Sequence, residues 1–363
     1  MFLHTLSIAL LASRVAAYDQ VLGFNTEIEY EDRTLDQIYK AALKEGDTVT
    51  LWAGGDEKAQ QNSLKQAFEE RFPGITLNVT VDLSKYHDAR LDQQLAAGKV
   101  SVDSVILQTL HDYPRWAQEG ALLNYAPAGF DQIEQAFKDG SAAWYGVWVS
   151  SWAGAWNTKK LPDIDPPQEY EDWLRPEFKN KLVLTYPNDD DAVLWGFYLI
   201  LQQYGTAWFD KLIAQNPRWV RGSQTPSILI GQENSTYAAY FAASGGWNNT
   251  DTLSYSRPTK GKYVSWPQTA AILKDAPHPE GAKLLHNFIL SKEQQASPRR
   301  WSVRRDIPTP VGLPDLRNQT ATNPAEFARF MNDRALVERL KLYFESRIGT
   351  PQGKSSLVDD INA

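Results

Sequence analysis

Three consecutive carboxylates, Asp189–Asp191, stand in the run TYPNDDDAVLW between a short apolar segment and a long one. Two chemistries suit that pattern. Asp189 and Asp191 form a D-x-D pair able to hold a divalent cation, as in sugar-nucleotide transferases, although no nucleotide-binding motif accompanies it. Alternatively, Asn188 or Asp189 caps the first turn of a helix. The carboxylates that follow then sit at the positive end of its dipole, each contributing about 0.3–1 kcal/mol. The second account needs no ligand and is the expected one, with one carboxylate left to face a solute. Other reactive patterns are missing from the sequence: it has no G-x-S-x-G, no H-E-x-x-H, no Walker loop and no spaced G-x-G-x-x-G.

Histidines offer a second source of chemistry. His278 lies in the helix-entry turn APHPEG and His286 lies mid-helix, so both read as structural. His87 and His111 each follow a predicted strand end, where open α/β sheets bind ligands. Each is therefore either a ligand contact or a surface or capping residue.

The elements that must position these groups alternate in type. Thr34 and Gln37 form a capping box for a helix through Leu35, Ile38 and Ala42 that stops at Gly46. Val49–Trp52 predicts a strand ending in Ala53-Gly54-Gly55-Asp56. A helix follows with Leu64, Ala67 and Phe68 on one face. Ile75, Leu77, Val79 and Val81 alternate with polar residues, a period-two strand. SKYHDARLDQQLAAGK is the next helix and Val102–Gln108 the next strand. This βαβ order implies a parallel sheet.

The aromatic, nearly uncharged run Ala142–Asn157 breaks the rhythm as one or two extended segments that leave the first lobe. The second lobe has a strand at Leu182–Thr185, helices near Asp191–Tyr204 and Ala207–Gln215, a strand at Trp219–Arg221 and a helix opened by Thr225-Pro226. Val264–Leu273 reads as the return crossing. Helices at Pro279–Leu290 and over Pro324–Ile348 close the chain. The expected division is an irregular leader at 18–33, a first lobe of 34–148 and 268–363, and a second lobe of 149–267.

Composition narrows the function classes. With 363 residues, 42% hydrophobic and 22% charged, the chain is long enough for two ordinary cores. It has no cysteine, which excludes disulfides, thiolate nucleophiles and a lipid-anchored amino-terminal Cys. Leu6–Ala12 is an apolar core before Val15-Ala16-Ala17, a signal segment with cleavage expected after Ala17. No run approaches the ~20 apolar residues of a membrane span. The net charge of −7, one unit more negative after cleavage, disfavours nucleic acid and anionic membrane as partners. Sequons at Asn78, Asn234, Asn248 and Asn318 favour glycosylation in a eukaryotic secretory pathway, with a bacterial periplasm as the alternative.

AGGDEKAQQ, VDLSKYHDARLDQQLAAGK, VILQTLHDYPRW, LLNYAPAGFDQI, YPNDDDAVLW, WPQTAAILK and WSVRRDIPTP occur in that order. From Val49 to about Gly349 the chain resembles the extracellular solute-binding proteins of bacterial ABC importers, in particular the ferric-iron or small-solute-binding components. The resemblance implies an α/β, two-lobed type II periplasmic-binding-protein fold with a hinge and an interlobe cleft. The ligand-contacting groups it implies, at strand ends and helix openings, come from both lobes. The first lobe would supply Gly54, Gly55, Asp56, Lys85, Tyr86, His87, Gln108 and Thr109. The second would supply Asn188, Asp189, Asp190, Arg221, Gly222 and Ser223, with walls from Trp148 or Trp152. Many ferric-binding members use an adjacent Tyr-Tyr pair. Here Tyr237 and Tyr240 are separated by two alanines, which on a strand turns the rings to opposite faces.

Three functions follow for comparison. The leading one is secreted, non-catalytic binding of a small polar or charged solute by a monomer, with no cofactor and a membrane importer as partner only in a bacterium. The second is a metal-dependent enzyme using Asp189–Asp191. The third is a secreted protein-interaction module with a vestigial cleft.

Overall fold

The computed structural model describes residues 27–297 and 300–358. The expected signal segment, its cleavage after Ala17, and residues 18–26 of the leader lie outside them. In chain order, β1 (Glu29–Tyr30), α1 (Leu35–Glu45), β2 (Thr48–Gly54), α2 (Asn62–Arg71), β3 (Thr76–Asp82), α3 (Ser84–Ala96), β4 (Ser104–Leu107), α4 (Asp112–Gln118) and β5 (Tyr125–Ala126) build the first lobe. β6 (Tyr145–Asn157) runs out of it as one continuous strand. The second lobe adds β7 (Val183–Thr185), α5 (Asp191–Tyr204), α6 (Thr206–Ala214), β8 (Arg218–Val220), α7 (Thr225–Gly231), β9 (Ala239–Ser244) and β10 (Leu253–Ser256). β11 (Ser265–Ile272) returns, followed by α8 (Pro279–Ile289), α9 (Lys292–Gln295), α10 (Pro324–Asn332) and α11 (Arg334–Ile348).

Two strands, and a third crossing of the chain before α10, tie the lobes together. In the first lobe β2 lies between parallel β3 and β4, and β11 pairs antiparallel with β4. β6 pairs antiparallel with β11 from Tyr145 to Ser151, then with β9 and β10 from Trp152 to Asn157. β7 and β8 pair in parallel, and Leu182 bridges Ala239 beside β9. The first core holds Leu51, Phe68, Leu77, Val147 and Phe288; the second holds Trp156, Trp195, Phe197, Phe209 and Phe241. β6 passes close over Trp173, where a Cβ on Gly154 would collide with the indole, so the approach requires glycine there.

Local sequence explains the elements that hold the cleft. The capping box at Thr34 and Gln37 forms, and Ile38 and Ala42 face inward. α5 is apolar around most of its circumference, with Ala192–Phe197, Leu199 and Ile200 buried, as a helix enclosed by its lobe must be. Strands β9 and β10, built from AYFAAS and LSYS, carry no clean period of two that would predict them from the sequence.

Two boundaries differ from the sequence expectation. The leader 18–33 is not wholly irregular, because β1 pairs with β5 and Glu31 binds both Arg33 and the Tyr125 hydroxyl. Nor does all of 268–363 belong with the first lobe. Phe327, Phe330, Met331, Val337 and Phe344 share the second core with α5 and α6, so α10 and α11 pack there. Their aromatic stripe matches Trp195, Phe197 and Phe209, and sequence order alone does not reveal that pairing.

His286 anchors α8 beneath the sheet: Nε2 lies 2.6 Å from Ser104 Oγ and Nδ1 lies 2.6 Å from the Tyr145 hydroxyl. Burial pushes its pKa down to about 3. The unfolded chain, with an ordinary histidine value near 6.5, binds the extra proton between those limits. The contribution is therefore present above about pH 6.5 and is lost as the pH falls, at up to ~1.4 kcal/mol per unit. Imidazole NMR resonances of His286 should stay unmoved down to pH 5; a midpoint near 6.5 would contradict the buried neutral ring.

Candidate functional site

A cavity of about 910 Å³ lies between the lobes. Gly54, Gly55 and Asp56 reach it from the end of β2, and Lys85 from the start of α3. Gly54 has a steric reason: a Cβ there would strike Ser84 Oγ, which accepts from the Gln108 amide at 3.0 Å. Gln108 and Thr109 also line the cavity, although the Thr109 hydroxyl donates to buried Asp88. Asp189, Asp190, Gly222 and Ser223 line it from the second lobe. Trp148 and Trp152 of β6 both form wall.

Four expected contacts do not line it. His87 faces inward on α3, is fully buried, and stacks on Trp52 with ring centroids 5.2 Å apart; burial pushes its pKa down to about 4. Asn188 turns away to donate to the Gly349 carbonyl. Tyr86 and Arg221 bind each other instead, with Arg221 Nη2 donating to the Tyr86 hydroxyl at 2.9 Å. Of the remaining candidates, His111 is partly buried beside Asp112 at 3.6 Å and is not part of the wall. Tyr240 is fully buried with its hydroxyl donating to the Ser244 carbonyl, and Tyr237 is also absent from the lining.

The three aspartates divide their work. Asp190, rather than Asn188 or Asp189, caps α5: its Oδ1 accepts from the amides of Ala192 at 2.9 Å and Val193 at 3.0 Å. Asp189 accepts from Lys85 Nζ at 2.7 Å and from Arg221 Nε at 2.9 Å. Burial alone would raise the Asp189 carboxyl; the Arg221 hydrogen bond and the Lys85 charge hold it below the usual range. Asp191 lies 3.2 Å from Lys341 Nζ. Among the described residues no group of three or more acidic, histidine or cysteine side chains is arranged to hold a metal ion.

Six residues expected from the sequence to be ligand contacts, Asp56, Lys85, Tyr86, Asp189, Arg221 and Ser223, meet one another across the cleft. Asp56 Oδ2 accepts from the Ser223 amide at 2.5 Å, the Ser223 hydroxyl at 3.1 Å and the Gln224 amide at 2.9 Å. Lys85 reaches the Asp189 carboxylate and its carbonyl, both at 2.7 Å. Tyr86 and Arg221 complete the seam. These three links close one side of the cavity and leave the rest of the wall open to a solute.

The family model for the bacterial extracellular solute-binding protein matches residues 63–310. The chain belongs to that family. No curated protein sequence matches it. Among solved structures, the periplasmic binding protein AfuA from Actinobacillus pleuropneumoniae, with exogenous fructose-6-phosphate bound, is similar. It has a TM-score of 0.63 and 17% identity, covering 83% of this chain and 98% of that one. The substrate-binding protein of an ABC transporter from Agrobacterium tumefaciens has a TM-score of 0.69 at 13% identity, covering 83% and 94%. Iron-bound HitA from Pseudomonas aeruginosa has a TM-score of 0.58 at 17% identity, covering 82% and 99%. At these identities the structures share the two-lobed fold. Solute-binding proteins of this family serve ABC transporters, and among the described residues no helix is long and apolar enough to cross a membrane.

Sequence reasoning missed several wall residues of this family member, notably Glu57, Trp247, Trp266, Gln268 and Arg300. Glu57 follows Asp56 and was within reach of the strand-end rule. Trp266 and Gln268 lie on the return crossing β11, whose extended run carries the same signal as that of β6. Trp247 and Arg300 sit in irregular segments with no periodic signal.

Asp56→Ala should strand the Ser223 and Gln224 amides and cost about 1.5–3 kcal/mol of closure, the range for hydrogen bonds to a charged group. Small-angle scattering should then show a larger radius of gyration than for the parent protein. An unchanged radius in the variant would mean that the seam does not hold the lobes.

Proposed function

We propose that this protein is a secreted, non-catalytic binder of a small polar or charged solute, which it encloses between its lobes. The observation that carries this is the 910 Å³ interlobe cavity, lined by charged groups and indoles and bounded by hydrogen bonds between the lobes. The two-strand connection supports a hinge where β6 passes from Ser151 to Trp152 and β11 begins at Ser265. A metal-dependent reaction at Asp189–Asp191 is less well supported, because the three carboxylates are engaged in three ion pairs and a helix cap. Membership of the family supports a membrane importer as partner if the host is a bacterium. Asn78, Asn234, Asn248 and Asn318 are all exposed, which supports their use as glycan sites in a eukaryotic host.

A thermal-unfolding screen of amino acids, amines, sugars, sugar phosphates, carboxylates and ferric citrate tests the function. A bound solute at 100 times its Kd should stabilise the protein by ~2.7 kcal/mol. Absence of stabilisation by every class, with no solute bound by native mass spectrometry, would overturn it. The mature chain should begin at Tyr18, and amino-terminal sequencing that finds Met1 would overturn secretion.

A further inference from the structure

We propose that the cleft takes a solute bearing a protonated amine together with a separate hydrogen-bond acceptor. This rests on the cavity being a solute site. Five carboxylates line it: Asp56, Glu57, Asp189, Asp190 and Asp191. Lys85 and Arg221 satisfy Asp189, and Lys341 satisfies Asp191. Among the described residues Asp56, Glu57 and Asp190 have no ion-pair partner; Asp56 and Asp190 also accept from amides of the second lobe, which leaves their negative charge without a counter-charge.

The opposing charge is smaller. Lys85 is committed to Asp189, which leaves Arg300 as the other lining cation, its guanidinium 4.3 Å from the Trp148 ring centre and, among the described residues, without a carboxylate partner. Three carboxylates without a counter-charge, two of them held by amides of the second lobe, face one lining cation outside an ion pair; the balance favours a solute whose charge is positive where it meets Asp56, Glu57 and Asp190. Burial, with Asp191 and Asp56 nearby, pushes the Asp190 carboxyl up to about 7 despite the Val193 amide and the Lys85 charge. Burial and then Asp56 also raise Glu57. An ammonium group relieves both effects.

A separate observation sets the other end of the solute. Trp152 is 8% exposed and lines the cavity, and among the described residues its indole Nε1–H has no hydrogen-bond partner. A buried donor of this kind calls for an acceptor. The guanidinium of Arg300, exposed but lining the same cavity, can donate to an acceptor as well. The indoles of Trp152 and Trp266, edge to face at 4.7 Å, provide aromatic wall for the alkyl or cationic part between the two ends. An amino acid or short peptide satisfies all of these groups; a bare diamine satisfies only the acidic side.

Isothermal titration calorimetry with L-lysine, L-arginine, glycylglycine, 1,4-diaminobutane, succinate and glucose tests this. At least one of the first three should bind at pH 8, more tightly than 1,4-diaminobutane. Because binding selects the ionised form of Asp190, affinity should fall about tenfold per unit below pH 7, with proton release on binding near that pH. Asp190→Asn keeps a capping oxygen, so it should fold, lose at least 30-fold in affinity and flatten the pH profile. Glu57→Gln, remote from the helix cap, should lose at least fivefold and provides the test if the first variant unfolds. Binding of succinate or glucose with no amine bound would overturn the amine assignment while leaving solute binding intact. Unchanged amine affinity in the folded variants would also overturn it, and failure of every solute of the wider screen would remove both.

Discussion

One carboxylate oxygen, Asp56 Oδ2, accepts three hydrogen bonds from the opposite lobe, and the cleft depends on that contact. Ser223 and Gln224 lie at the entry to α7, where backbone amides have no partners within the helix. A charged acceptor from the first lobe satisfies them more strongly than water-exposed neutral groups do. Lys85–Asp189 and Tyr86–Arg221 extend the same seam. The lobes are thus joined covalently by strands and electrostatically by groups at strand ends and helix openings, and the cavity lies between those two kinds of link.

The covalent side explains why such a seam can open without loss of either core. Among the described residues β6 and β11 carry sheet hydrogen bonds through the junction and the chain crosses once more before α10, whereas each lobe has its own packed interior. Opening therefore exposes polar contacts and cavity wall and leaves Phe68, Phe288, Phe197 and Phe241 covered. Lys85 is partly exposed, so its pairing is weakened by salt, while Asp56 is buried and resists screening. The placement of α10 and α11 on the second lobe matters as well: Lys341 of α11 neutralises Asp191, fixing the opening of α5 from behind.

The alternating elements from Thr34 to Gln108, the two crossings and the helix after Asp190 were legible because each has a local cause: a capping box, a period-two strand, an aromatic extended run or a row of helix-opening carboxylates. Positions near the cleft were legible for the same reason, since strand ends face the crevice. Partnership was not. Nothing local to Arg221 shows that it meets Tyr86 rather than a solute, and nothing local to His87 shows that α3 turns it onto Trp52. Both depend on how lobes or layers are juxtaposed. The assignment of α10 and α11 failed for the same reason, because their apolar stripe fits either core until the partner helices are placed.

The central claim, that a solute is enclosed by lobes which close about a hinge, is tested most directly by the distance across the cleft. The chain has no cysteine, so introduced cysteines at exposed Lys58 and Glu233, one on each lobe, can be spin-labelled without background. Pulsed electron paramagnetic resonance should give one short, narrow distance with a bound solute and a broader distribution extending to longer distances without it. Identical distributions in the two states, at saturating solute, would contradict the account.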